Sequence, residues 1–435
     1  MDLAQLFGDH IGLRQAKLDE ALAATGFDTL ILSSGAPLTY FADDRDAPFW
    51  SHPHFAHWTP LRGAHHLLKL QPGRRPRLVR HAPPDFWYEQ AGLGDPYWLS
   101  HFDLVEADSR EAAWSSLGEC GRCAYVGNED APARAAGFVA APEELLAYLD
   151  WGRSYKTAYE VRCLEEATAA AARGHQAARA AFLDGASELE IHHAFVQAAG
   201  VTDDELPYTT IVALDAKGAI LHYQTKRHDK PGRVLLIDAG TQTRGYAADI
   251  TRTHVAPDCP RAFAGLLRGM QDVQANLCRD VRPGASFVDL HMQTHHEVAV
   301  LLREHGLLRV EPDEAVAEGF TRAFFPHGLG HHLGLQVHDV AGHQAAPAGG
   351  VKPPPREQPF LRNTRTMEVG QVFTIEPGLY FMPLLLDPLR AGKGARAFNW
   401  DEIDELLPCG GIRVEDNILV TSDGHRNLTR EHLPE

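Results

Sequence analysis

The sequence predicts an α/β domain over residues 1–155 and an α+β domain over residues 156–435 with pseudo-duplicated halves. Three observations predict it. The 435 residues are more than one hydrophobic core usually serves. The first third mixes short apolar runs with helical patterns. The remainder carries one helix–turn–helix signature twice, about a hundred residues apart.

In the first domain TLILSS, HHLLKL and AYVG read as strands and EELLAYL as a helix. The boundary falls near residues 150–160, where SYKTAYEVRCLEEATAAAARGHQAARAAFL reads as a long amphipathic helix opening the second domain. Next come Gly185-Ala186-Ser187 with Glu190 three residues beyond the serine, and later Gly284-Ala285-Ser286 with Asp289 in the same place. Ser-x-x-Glu is the capping-box spacing for a helix start, and Ser-x-x-Asp a weaker version. Between the two pairs, RVLLIDAGTQTRGYAADITRTHV reads as an antiparallel hairpin with a loop of several residues. QVFTIEPGLYF and GGIRVEDNILV read as strands, and AAPAGGVKPPPREQP as a loop.

Composition excludes several classes of function. With 44% hydrophobic and 23% charged residues the chain fits a soluble globular protein. Its net charge of −17 argues against nucleic acid or an anionic membrane as partner. The start, MDLAQLFGDHIGLRQ, lacks the basic and apolar regions of a signal peptide, and no apolar run approaches the ~20 residues of a spanning helix. Six cysteines suggest no disulfide framework and fit a reducing cytosol, so a cytoplasmic location is expected. Cys120 and Cys123 form a CxxC without a second pair, and we read them as ordinary cysteines.

The chemistry gathers in strand-like segments. Asp238 ends VLLID, Asp249 interrupts YAADIT, Glu376 interrupts VFTIE and Glu415 interrupts IRVED. An uncompensated buried charge costs several kcal/mol, so such carboxylates need a partner or a cation. One of them alone reads best as a residue on a solvated strand face. Four, flanking the histidine-rich stretch FFPHGLGHHLGLQVHD, point to a shared site. Oxygen ligands with one imidazole suit Mn²⁺, Mg²⁺ or Co²⁺ better than a thiolate zinc site. Four carboxylates match two divalent ions, and ions about 3.5–4 Å apart can hold a bridging water and lower its pKa toward 7. That is hydrolytic chemistry. Of the histidines, His332 and His343 read best as ordinary surface or core residues. His327 and His338 lie among Gly328, Gly330 and Gly334, which permit close backbone approach.

Asp238 in IDAG, Asp249 in AADITRT, His331 in PHGLGH, Glu376 in TIEPG and Glu415 in GIRVED together resemble the pita-bread metallopeptidases. These include methionine aminopeptidases, X-Pro aminopeptidases and prolidases, and the resemblance is closest to the bacterial prolidases. It covers the whole second domain and reaches more loosely into FADDRDAPFWSHPHFAHW. It implies that Asp238, Asp249, His331, Glu376 and Glu415 hold two metal ions, with Asp249 and Glu415 bridging. Manganese is the expected metal, with cobalt or zinc as alternatives. His338, Glu376 and His327 are implied to be catalytic, and His222, Arg362 and Arg413 to face substrate. Arg362 is implied to receive a dipeptide's C-terminal carboxylate. The resemblance further implies a cytoplasmic homodimer whose loop around Asp43 and Asp44 reaches the partner's active site. His332 departs from the pattern, which has proline there.

The expected reaction is hydrolysis of the Xaa-Pro bond of dipeptides by a metal-bridging hydroxide. A metal and His338 would stabilise the oxyanion, and Glu376 would carry the proton to the proline nitrogen. Organophosphorus esters are an expected side substrate, because such a hydroxide also attacks phosphorus. The rivals are an X-Pro aminopeptidase acting on longer peptides, a binding module without metals, and creatinase-type metal-free chemistry. Five filled ligand positions disfavour the last two.

Overall fold

The computed structural model describes residues 2–89 and 92–434. They form two compact units. One runs to Arg153 and takes in Thr157–Val161 and Gln344–Gly350; the other holds Ser154–Lys156, Arg162–His343 and the chain from Val351 onward.

The first unit is built on β1 (Thr29–Ser33), β2 (Leu67–Leu70), β3 (Arg77–His81), β4 (Asp103–Ala107), β5 (Cys123–Val126) and β6 (Val139–Ala140). They form one sheet in the order β4-β3-β2-β1-β5-β6, with β1 antiparallel to β2 and parallel to β5. The three apolar runs read from the sequence are β1, β2 and β5, buried along their whole length. β3 and β4 are only partly buried, so RLVRH and DLVEA carry charge between apolar residues and announce themselves less clearly. EELLAYL lies in the helix Glu143–Arg153. Cys120 and Cys123 are buried free thiols, and burial followed by the neighbouring Cys120 raises the Cys123 pKa, which disfavours the reactive thiolate.

The second unit repeats its plan. The helix Ala158–Leu183 is followed by Glu188–Ala199, and Arg261–Arg279 by Phe287–Glu304. Ser187 and Glu190 close a full capping box, with Ser187 N donating to the Glu190 carboxylate at 2.8 Å. At the second turn Ser286 Oγ accepts from Asp289 N at 3.2 Å, and Asp289, one methylene shorter than glutamate, makes no reciprocal cap. Strands β7 (Ile211–Leu214), β8 (Val234–Asp238), β9 (Gln242–Thr243), β10 (Tyr246–Ala247) and β11 (Thr251–Val255) follow the first helix pair. β8 pairs antiparallel with both β7 and β11, and β9 and β10 form a small hairpin at the tip. After the second pair, Val372–Ile375, Asp416–Thr421 and Gly424–Asn427 make the matching three-stranded sheet. Phe263, Phe287, Phe324, Phe325, Phe373 and Phe381 fill the core behind it.

Two expectations need correction. Asp249, Glu376 and Glu415 interrupt no strand: Asp249 falls in the break between β10 and β11, Glu376 just after Val372–Ile375, and Glu415 just before Asp416–Thr421. The Pro/Gly-rich stretch is not loop throughout, since it contains the short strands Gln344–Ala346 and Gly349–Val351.

Candidate active site

Backbone pairing assembles the centre. Asp238, the last residue of β8, lies opposite Thr251 of β11. Thr251 in turn bridges to Glu415, whose N donates to Thr251 O at 3.0 Å. Ile375 pairs with Asp416, which brings Glu376 beside Glu415. On the next edge Thr374 N donates to His331 O at 3.0 Å and Glu376 N to Leu329 O at 2.9 Å. That last approach requires Gly330, because a Cβ there would collide with the Thr374 carbonyl. Residues nearly two hundred positions apart thus share one sheet edge.

The side chains converge on this edge. Among the described residues, Asp249, His331 and Glu415 form the one group whose ligand atoms lie within 4.8 Å of one another, and all three are buried. His331 Nε2 is 3.5 Å from Asp249 Oδ2 and 3.4 Å from Glu376 Oε1. His331 Nδ1 donates to His332 O at 3.1 Å, which leaves Nε2 as the lone-pair nitrogen facing the carboxylates. Asp238 joins through others: Arg413 Nη2 reaches its Oδ2 at 2.6 Å, and Tyr208 OH bonds Asp238 Oδ1 at 2.8 Å and Asp249 Oδ1 at 2.5 Å. Both Asp238 oxygens therefore have partners, and a cation there would share them.

Four carboxylates and one guanidinium leave the cluster short of positive charge. Burial, then Asp238, pushes Asp249 well above the usual carboxylate range; burial, then Asp249 and Glu376, does the same to Glu415. Burial raises Glu376 to about 7. The neighbouring Asp416 shows the opposite case. Burial alone would raise it too, but Arg252 and Arg430, each 2.7 Å away, hold it at about 2. Asp416 is a satisfied structural charge, whereas Asp249, Glu415 and Glu376 crowd together with Arg413 as the one cation acting on all three. Divalent ions fit such a donor set.

Above this floor lies a polar rim. His338 is exposed, and its ring stands 4.2 Å from that of His331, centroid to centroid. His222 and Arg362 are also exposed, and both act electrostatically on His338, whose pKa burial lowers first and these two lower further, to about 4. His327 Nδ1 donates to Gly328 O at 2.8 Å, and its Nε2 accepts from Tyr380 OH at 2.9 Å. Tyr380 in turn accepts from Arg413 Nη1 at 2.9 Å. His327 also lies 4.0 Å from Glu376. His332 points elsewhere: its Nδ1 donates to Val340 O at 3.0 Å. All ten site residues named from the sequence thus lie in the second unit, Asp249, His331 and Glu415 at its tightest point and His222 and Arg362 at its outer edge.

Two family models match the chain. Residues 162–422 match metallopeptidase family M24, and residues 5–151 match the Xaa-Pro dipeptidase N-terminal domain. The chain belongs to metallopeptidase family M24. Among M24 proteins it is 42% identical to a Xaa-Pro dipeptidase of Pseudoalteromonas atlantica, over 99% of this chain and 98% of that one. It is 44% identical to the Xaa-Pro dipeptidase of Marinobacter nauticus, over 99% of each. In three dimensions it is similar to aminopeptidase P from E. coli (TM-score 0.74, 22% identity, 100% of this chain and 96% of that one). Proline aminopeptidase P II from Yersinia pestis is alike at TM-score 0.74 and 23% identity, over 100% of this chain and 98% of that one. These solved structures establish the pita-bread fold for this M24 chain. Among the described residues no helix is long and apolar enough to cross a membrane.

Sequence reasoning missed Tyr208, Thr251, Thr374 and Tyr380. Thr251 donates to Glu415 at 2.6 Å and Thr374 to Glu376 at 3.3 Å. Thr374 alone carried a signal, standing two residues before Glu376 along one extended run, whereas a break separates Asp249 from Thr251 and Glu376 from Tyr380. Tyr208, in the coil before β7, has no such signal.

Proposed function

We propose that this M24 metallopeptidase is a dinuclear Xaa-Pro dipeptidase, its ions held by Asp238, Asp249, His331, Glu376 and Glu415. The observation that carries the proposal is the buried Asp249–His331–Glu415 group, within 4.8 Å, beneath a rim bearing an exposed arginine. Bound there, divalent ions supply Lewis acidity and lower the pKa of water toward neutrality. Manganese is our choice, with cobalt or zinc as alternatives, because four of five donors are carboxylates.

The protein's own groups do the rest. Glu376, 3.4 Å from His331 Nε2 and bonded by Thr374 Oγ1, is the carboxylate placed to carry a proton from the attacking water to the proline nitrogen. His338, neutral at pH 7 and exposed above His331, offers a hydrogen bond to the developing oxyanion. His327 and Arg413, linked through Tyr380, brace the wall beside Glu376. Arg362 receives the carboxylate of the substrate proline through a two-pronged ion pair, and His222 faces the dipeptide. Phosphorus esters that fit the same cleft would be attacked too. We assign the protein to the cytoplasm as a homodimer; Leu38, Tyr40 and Phe41, which precede Asp43 and Asp44 on an exposed loop, are the apolar surface a partner would cover.

The test is turnover of a panel of Xaa-Pro dipeptides by metal-stripped protein before and after Mn²⁺, Co²⁺ or Zn²⁺ is returned. The proposal expects no turnover when stripped and recovery on readdition. Activity that survives complete stripping contradicts it.

A further inference from the structure

We infer that Glu188 is a positioning residue that holds the segment carrying His222 in place over the active site; the inference rests on the assignment of His222 to substrate. Glu188 opens the helix Glu188–Ala199 and is fully buried. The capping box of that helix uses Ser187 and Glu190, so capping does not account for Glu188. Its carboxylate instead gathers the chain on both sides of His222. Oε1 accepts from Leu214 N at 2.9 Å and faces Lys217 Nζ at 3.1 Å. Oε2 accepts from Tyr223 OH at 2.7 Å and from Arg227 N at 2.9 Å.

Residues 223–232 form neither helix nor strand, so no ladder of backbone bonds fixes them. Other ties are Lys226 Nζ to Thr210 O at 3.0 Å, a single backbone bond from Leu189 N to Arg227 O at 3.3 Å, and an exposed Lys230–Glu190 pair. Glu188 is the buried anchor. Through Tyr223 its hold reaches the site, because the Tyr223 ring packs with Ile211, Ala213, Leu236 and Tyr380. Tyr380 is the phenol between His327 and Arg413. His222 precedes Tyr223 and stands free in solvent, so its direction depends on how firmly Tyr223 is held. A bound dipeptide then meets a His222 whose ordering cost is already met, which acts on substrate affinity.

The experiment combines Glu188→Gln with His222→Ala in the full chain. It measures KM and kcat on Gly-Pro, metal per subunit, and the rate of tryptic cleavage at Lys226 and Arg227. Glu188→Gln should raise KM about tenfold, leave metal content unchanged and speed cleavage in the segment. In the His222→Ala background it should raise KM no further, since both changes remove one contribution. If Glu188→Gln does not fold, Tyr223→Phe removes a single bond and should raise KM about threefold, again only when His222 is present. Penalties that multiply, or an unchanged cleavage rate, overturn the inference alone. A His222→Ala variant with wild-type KM overturns the assignment of His222 and this inference with it.

Discussion

His331 and His332 are adjacent and both buried, yet their imidazoles meet opposite surroundings. His331 Nε2 faces Asp249 and Glu376, whereas His332 Nδ1 is tied to the Val340 carbonyl. His331→Ala should therefore lower the metal bound per subunit, measured by elemental analysis, while His332→Ala should keep both ions. Loss of an ion in His332→Ala with retention in His331→Ala would shift the ligand by one residue. His338→Ala should keep the metals and depress kcat about a hundredfold, the scale of one lost oxyanion donor. Asp249→Asn, which removes a buried charge from the centre, should abolish metal binding and activity while circular dichroism stays native. Arg362 sets length selection. Charged hydrogen bonds contribute roughly 1.5–3 kcal/mol, so Arg362→Ala should lower kcat/KM on Xaa-Pro about tenfold to a hundredfold. On a Xaa-Pro amide, which has no carboxylate, the loss should be far smaller. Equal losses would pass the role to Arg413.

At the scale of elements, the centre is a row of strand ends: Asp238 closing β8, Thr251 opening β11, Glu415 before Asp416–Thr421, and Glu376 after Val372–Ile375. Strand ends supply a buried setting without forcing a charge into the middle of a ladder, and carboxylates gathered there repel unless neutralised. This gives a pH dependence for the metal-free protein. Burial raises Glu376 from 4.5 to about 7, so its protonated form is favoured in the fold. Its stabilising contribution is fully present below about 4.5 and is lost as pH rises through about 7. Asp249 and Glu415 are shifted in the same direction. Stripped protein should thus melt at a lower temperature at pH 8 than at pH 5.5, and divalent ions should abolish that fall at pH 8. A melting temperature that climbs from pH 5.5 to pH 8 without metal would refute the electrostatic account. The row was legible in the sequence because a carboxylate ending an apolar run is conspicuous. What separates Glu415 from Asp416 was not legible. Both end IRVED, and only the folded chain places Arg252 and Arg430 against Asp416.

At the scale of the molecule, the helix–turn–helix pairs were readable from Ser187 and Ser286, whose caps are local, whereas the three-stranded sheets that follow them were not. Strands β3 and β4 were harder, because partial burial mixes charge into their apolar pattern. Tyr208 was invisible for another reason: it reaches Asp238 and Asp249 from a coil, and long-range placement leaves no periodicity to read. The central claim is that one dinuclear centre, gated by Arg362, cleaves dipeptides ending in proline and rejects longer chains. Side-by-side turnover of Gly-Pro and Gly-Pro-Gly by the manganese-loaded protein tests it most directly. The account predicts rapid release of glycine from Gly-Pro and little or none from Gly-Pro-Gly. Equal or faster cleavage of the tripeptide would contradict it and make the protein an aminopeptidase.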